Sequence, residues 1–185
     1  RCRVRVTIVP YVTGRPGDPY MGTPTGDRLE RDLPGDIGYV LRSHNIDDDL
    51  IVVAGDNLFS GTLEGFVATA KQRGVLVGVY DVGDLTQIRK YNNLGLDDEG
   101  RITFFEEKPQ KPISTVTAIA LYHYPRTALP LIRQYIAEGN NPDQPGRLVQ
   151  WLYPRVPCHT YEVKGQWLDI GSKETYEEAQ HLFRP

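Results

Sequence analysis

Three short segments carry side chains suited to phosphate and metal chemistry. The first is Leu50-Ile51-Val52-Val53-Ala54-Gly55-Asp56-Asn57, an unbroken apolar run that stops on Gly-Asp-Asn. In open α/β sheets, ligands dock beyond the carboxyl ends of the strands. A carboxylate at Asp56 would stand at such a place, and Gly55 would let the backbone approach the ligand. One carboxylate there suits a hard cation such as Mg²⁺, which takes one or two protein carboxylates and fills its shell with phosphate oxygens and water. Asp56 could equally cap the turn that follows.

The second segment is Glu106-Glu107-Lys108-Pro109. Proline disfavours a helical residue before it, so Lys108 is expected to be extended and to project. A fixed lysine can hold a phosphate while a neighbouring carboxylate holds hydroxyls. The alternative is a solvated charge cluster at a strand end. The third segment is Trp167-Leu168-Asp169-Ile170-Gly171-Ser172. Asp169 falls at a strand-to-helix switch, either as a second metal carboxylate or as a helix cap that Ser172 could share.

The elements that must position these groups alternate along the chain. Asp36 is placed to cap a helix carrying Ile37, Val40 and Leu41 at helical spacing. Leu50–Ala54 suits a central strand covered on both faces. Leu63, Phe66, Val67 and Ala70 mark an amphipathic helix ending near Gly74, and Val75–Val79 is the next strand. Strand, helix, strand at this spacing predicts a βαβ unit and a parallel sheet. A helical turn near Gln87 then leads to a strand over Asn93–Leu96. Asp97-Asp98-Glu99-Gly100 reads as a hairpin turn into Arg101–Phe105. Val116–Tyr124 and Thr160–Val163 read as strands. Leu129, Ile132 and Ile136 give one helix, Leu148, Trp151 and Leu152 another, and Lys173–Phe183 the last. The stretch from Thr13 to Pro34, rich in Gly, Pro, Asp and Thr, is too long for an ordinary connection, which marks it as functional or mobile.

Composition narrows the function classes. With 185 residues, 39% of them hydrophobic, the chain fits a single domain with a real core. A net charge of −3 and interspersed charges give no basic footprint for nucleic acid. No apolar run approaches the ~20 residues of a membrane helix. The start, Arg1-Cys2-Arg3-Val4-Arg5-Val6, has no apolar h-region and is not expected to be a signal peptide. Cys2 and Cys158 form no CxxC pair and read as reduced thiols, so a cytoplasmic location is expected.

The order GDN after an apolar strand, then EEKP, then Ala120-Leu121-Tyr122-His123-Tyr124, then WLDIG before a final helix resembles the sugar-1-phosphate nucleotidyltransferase superfamily. The likeness spans roughly Asp27 to Ala179. It implies a Rossmann-like three-layer α/β/α fold with a mostly parallel sheet, of the GT-A-like nucleotide-diphospho-sugar transferase kind. It implies Mg²⁺ held by Asp56 and Asp169, a sugar phosphate held by Lys108, and sugar hydroxyls held by Glu107. Gly35, Asp36 and Gly38 match the turn against the nucleotide base. Asn92 falls where many members carry Gly near the sugar, and Ala120 also replaces a frequent Gly. Gly55, Asn57 and Gly171 complete the expected substrate-binding set. The implied substrates are a nucleoside triphosphate and a sugar 1-phosphate.

The family's Gly-rich triphosphate loop does not occur in these residues. The chain also opens in mid-pattern, with Val4, Val6 and Ile8 alternating with Arg3, Arg5 and Thr7. The expectation is one nucleotidyltransferase-like domain over residues 1–185, lacking its first strand and that loop. Such a chain should be inactive alone and prone to self-association through bare strand edges. Two rival readings are a metal-dependent glycosyltransferase using a nucleotide-sugar and a non-catalytic module that binds sugar phosphate or nucleotide. Asp47-Asp48-Asp49 could be mistaken for the acidic motif of the first, but it precedes the apolar strand instead of ending it and reads as a solvated turn.

Overall fold

The structure, a computed structural model, describes residues 36–141 and 144–183. The elements in chain order are α1 (Asp36–Ser43), β1 (Leu50–Val53), β2 (Asn57–Phe59), α2 (Glu64–Arg73), β3 (Val75–Asp81), α3 (Leu85–Ile88), β4 (Asn92–Leu96), β5 (Ile102–Glu107), β6 (Val116–Tyr124), α4 (Leu129–Ala137), α5 (Pro145–Leu152), β7 (Cys158–Glu162), β8 (Trp167–Asp169) and α6 (Lys173–Leu182).

The main sheet has the order β1-β6-β3-β7. β3 and β7 are parallel, and β6 runs antiparallel to both β1 and β3. Three of the four described strands therefore point the same way, as a mostly parallel sheet requires. β1 and β3 share direction as the ends of a βαβ unit, but β6 lies between them. Leu50–Ala54 was expected to be central. Among the described residues, β1 pairs with β6 and is half-buried.

Period-two alternation builds the three layers. Val75, Val77 and Val79 of β3, with Tyr122 and Tyr124 of β6, face one core. Leu41, Leu129, Ile132, Leu148, Val149 and Leu152 cover it from α1, α4 and α5. Leu76 of β3 and Ile119 and Leu121 of β6 face the other way, onto Phe66 and Ala70 of α2. Gly74 ends α2 at φ 79°, a conformation open to glycine. Cys158 sits buried at the start of β7, and burial pushes its thiol pKa up to about 12. Cys158 is a free, buried thiol, and Cys2 lies outside the described residues.

Two small antiparallel pairs sit beside the sheet: β4 with β5, and β2 with β8. The β4–β5 hairpin turns at Gly100 (φ 72°), with Asp97 accepting from the backbone N–H of Arg101 at 2.9 Å. Two consecutive asparagines tie the hairpin to β6. The Asn92 amide donates to Ala118 O (3.0 Å) and accepts from Ala118 N (2.7 Å) and Thr117 Oγ1 (3.1 Å). Asn93 does the same for the lead-in to β6, donating to Ser114 O (2.9 Å) and accepting from Ile113 N (2.6 Å). β1 is paired as far as Val53 opposite Leu121, and Ala54 N then donates to Ala120 O. Beyond that point the side chain of Asn92 bonds the β6 backbone. This amide bridge fixes the hairpin, and with it Glu107 and Lys108, against the sheet.

Candidate functional site

A cleft of about 480 Å³ opens where β1 ends. Asp56, Asn57, Asp169, Glu107 and Lys108 all line it, together with Tyr91, Asn92, Tyr122 and Trp167. Asp56 and Asp169 meet because β2 pairs with β8. Asn57 stands opposite Asp169 in that ladder, and Ile170 N donates to Asp56 O at 2.8 Å. The Asp169 carboxyl is held above its ordinary pKa, first by burial and then by the charge of Asp56. Both carboxylates therefore occupy one rim of one cleft.

The cap that might have claimed Asp169 is made elsewhere. Ser172 caps α6, accepting from Thr175 N at 3.2 Å in a reciprocal capping box. Asp169 is thus left facing the cleft. Asp56 accepts from Asn57 Nδ2 at 2.9 Å, and Asn57 Oδ1 accepts from Trp167 Nε1 at 2.7 Å. This relay from Trp167 through Asn57 sets how the Asp56 carboxylate is turned. Trp167 is itself held edge-on by Tyr91, with ring centroids 5.3 Å apart. Sequence reasoning did not single out Trp167 and Tyr91 as site residues. The available signal was that an indole N–H beside an aspartate needs a partner when it is half-buried.

Glu107 and Lys108 end the β4–β5 hairpin. Burial raises the Glu107 pKa, opposed by the positive charges of Arg147 and Lys108. Lys108 was expected to be extended; its φ is +48°. Its N–H donates to Tyr91 O at 2.8 Å, one step past the Asn92–Glu107 pair, and the chain must turn there. Pro109 disfavours the right-handed helical region for Lys108, and the left-handed region gives the turn instead. A non-glycine residue held in that region is a strained position of the sort that gathers at ligand sites.

The remaining expected residues divide. Gly55 lines the cleft, exposed, with open space where a side chain would stand. Gly171 is not among the lining residues; it turns the chain after β8, its N–H donating to Asp169 O at 3.1 Å. Gly38 is buried in α1 between Ile37 and Val40, which do line the cleft. Asp36 starts the backbone of α1, and Gly35 lies outside the described residues, as does the Thr13–Pro34 stretch. Asp47 and Asp49 sit at the opposite end of β1 from Asp56. Arg126 pairs with Asp47 (2.6 Å) and donates its backbone N–H to Asp49. They form an anchored surface turn rather than an acidic metal motif. Among the described residues, no cluster of three or more His, Cys, Asp or Glu side chains could hold a metal, and no helix is long and apolar enough to cross a membrane.

The nucleotidyl transferase family model matches residues 39–184, and the chain belongs to that family. A glucose-1-phosphate adenylyltransferase from Thermomicrobium roseum is 26% identical over 139 residues, covering 71% of this chain and 31% of the relative. One of the same description from Halalkalibacterium halodurans is 23% identical over 180 residues, covering 94% and 45%. The chain thus spans less than half the length of these curated relatives. Among solved structures, a Bacillus anthracis protein assigned as a glucose-1-phosphate thymidylyltransferase, in complex with sucrose, aligns with a TM-score of 0.69. Its identity is 21%, over 82% of this chain and 62% of that one. A UDP-glucose pyrophosphorylase complexed with UDP-glucose aligns at 0.66 and 22% identity, with the same coverage of both chains. At these identities the structural neighbours establish the α/β fold.

Proposed function

We propose that the whole protein transfers a nucleotidyl group from a nucleoside triphosphate to a sugar 1-phosphate, giving a nucleotide-sugar and pyrophosphate, and that the 185-residue chain alone does not. The observation that supports this most is the β2–β8 pairing, which sets Asp56 beside Asp169 on the cleft lined by Glu107 and Lys108. In this reading a phosphate oxygen of the sugar phosphate attacks the α-phosphorus in line and pyrophosphate leaves. That oxygen is already anionic, so no general base is needed. The protein's work is positioning and neutralising charge. Lys108 holds the sugar phosphate, Glu107 accepts from sugar hydroxyls, and the Trp167–Asn57 relay fixes Asp56.

Two neighbouring carboxylates, Asp169 held at raised pKa first by burial and then by the charge of Asp56, are a donor set that fits a hard divalent cation. Mg²⁺ on Asp56 and Asp169 would supply charge neutralisation for the phosphates and a template for in-line displacement. Charged phosphorylated substrates do not cross membranes unaided, which favours the cytoplasm as the compartment.

Pyrophosphate release from a panel of nucleoside triphosphates, each with glucose 1-phosphate or mannose 1-phosphate, tests the reaction. Sugar-phosphate binding without pyrophosphate release by the whole protein would make it a binding module, and turnover by the 185-residue chain alone would refute the expectation that it is inactive. Lys108→Ala is expected to raise the Michaelis constant for sugar 1-phosphate, since a charge-assisted phosphate contact contributes about 1.5–3 kcal/mol. Lys108→Gly should show the same loss while relieving the left-handed backbone, which separates the charge from the conformation. Unchanged sugar-phosphate kinetics in both variants would return Lys108 to the solvent.

Self-association is also proposed. Among the described residues the outer edge of β1 has no strand partner, and Val53 there is 42% exposed. Light scattering should report a species larger than a monomer, with Val53→Lys shifting it toward the monomer. A wild-type monomer at all concentrations would refute this.

A further inference from the structure

The Glu107 carboxylate occupies a volume that one glycine leaves open. Gly146 lies buried in the first turn of α5. A Cβ built on it would overlap Glu107 Oε1 and stand 2.8 Å from Glu107 Cδ. The next nearest atom, Phe105 Cζ, is 3.5 Å away, an ordinary van der Waals contact. The backbone at Gly146 is helical, and alanine is the better helix former. Outside the backbone of α5 itself, the three nearest atoms to the added Cβ all belong to side chains, those of Glu107 and Phe105. Glu107 and Gly146 line the same cleft, with Tyr122 and Pro145.

We infer that Gly146 is a positioning residue for sugar recognition: the absence of a side chain there is what seats the Glu107 carboxylate in the cleft. This rests on the proposed role of Glu107 in accepting hydrogen bonds from sugar hydroxyls. A methyl group at 146 would drive the carboxylate off its seat, and the hydroxyl contact would go with it. The nearby Arg147, whose charge acts on Glu107, would then draw the displaced carboxylate.

The test is calorimetric titration of the protein with α-D-glucose 1-phosphate and its 2-, 3-, 4- and 6-deoxy analogues, on wild type, Gly146→Ala, Glu107→Gln and the double variant. Gly146→Ala should weaken binding of the parent sugar phosphate by roughly tenfold or more, the size of a lost hydrogen bond to a charged group. The deoxy analogue lacking the hydroxyl held by Glu107 should be insensitive to Gly146→Ala. The double variant should bind no worse than Glu107→Gln alone, because both changes remove one contact. In the Gly146→Ala background, Glu107→Asp should recover part of the affinity, since the shorter carboxylate clears the methyl.

Wild-type affinity in Gly146→Ala, with Glu107→Gln weakened, would overturn the inference and leave the role of Glu107 standing. Full additivity in the double variant would do the same. No effect of Glu107→Gln would overturn the Glu107 role and this inference together. If Gly146→Ala fails to fold, Glu107→Ala/Gly146→Ala must restore the melting transition, because the colliding group is gone; failure to restore it overturns the inference.

Discussion

Asp169→Asn is expected to reduce nucleotidyl transfer by the whole protein about a hundredfold to a thousandfold, the loss typical of removing one charge-stabilising group at a reacting phosphate or acyl centre. The same change should raise the melting temperature of the metal-free protein. Asp169 is half-buried beside Asp56, and its pKa is raised above the ordinary 3.8. The folded state therefore binds this proton more tightly than the unfolded chain does. Its favourable contribution is complete below the unfolded value and is lost as pH rises through the raised folded value. The melting temperature of Asp169→Asn should thus exceed that of wild type by a margin that opens between mildly acidic pH and neutrality and closes toward pH 3. Added Mg²⁺ should raise the melting temperature of wild type and leave the variant's in place. Equal Mg²⁺ shifts in both proteins would remove Asp169 from the metal site, whatever the activity does.

The largest structural effect is expected at Asn92. Asn92→Ala removes three side-chain hydrogen bonds in the interior and strips both the N–H and the C=O of Ala118 of these partners. A buried polar group left unpaired costs about 1–3 kcal/mol, so the loss should be roughly 3–5 kcal/mol. That is a large share of the stability of an ordinary domain. Urea unfolding should show the midpoint falling by that equivalent. Whatever folded protein remains should bind sugar phosphate weakly, because Asn92 stands opposite Glu107 in the hairpin ladder and fixes the segment that carries Lys108. A drop of under 1 kcal/mol would mean that the hairpin is held by its apolar contacts, Leu94, Ile102 and Phe105, and not by this amide.

The segments that alternate cleanly were readable from the chain. Val116–Tyr124 is a strand over those same residues, and Leu63 to Gly74 bounds the helix that caps at both of them. Asp56 and Asp169 were legible as chemistry because each follows an apolar or aromatic strand and precedes a turn. What brings them together was not legible. β2 is three residues long, too short to show periodicity, and its partner lies in a distant part of the chain. The place of β6 was hidden for a related reason. Strand, helix, strand predicts two strands of like direction, and β1 and β3 have it, but no local pattern announces that a later strand will be inserted between them. Lys108 shows a third limit. Its neighbour Pro109 excludes one conformation without choosing between the two that remain. The roles of Asn92 and Asn93 as stand-ins for a strand backbone lay beyond composition, since asparagine in a strand reads as a weak point.

The pairing of β2 with β8 also bears on when the site comes into being. Trp167 and Asn57, which lock that ladder, are 110 residues apart along the chain. Closing so long a loop for a three-residue ladder returns little until the main sheet has already brought the ends near. The hairpin β4–β5 forms from near neighbours and needs no such help. The carboxylate pair is therefore assembled late, on a scaffold built without it. Interactions absent from the transition state act on the rate of unfolding and leave the rate of folding alone. The cation proposed for Asp56 and Asp169 would then work as a latch on the finished molecule, prolonging its life without guiding its birth.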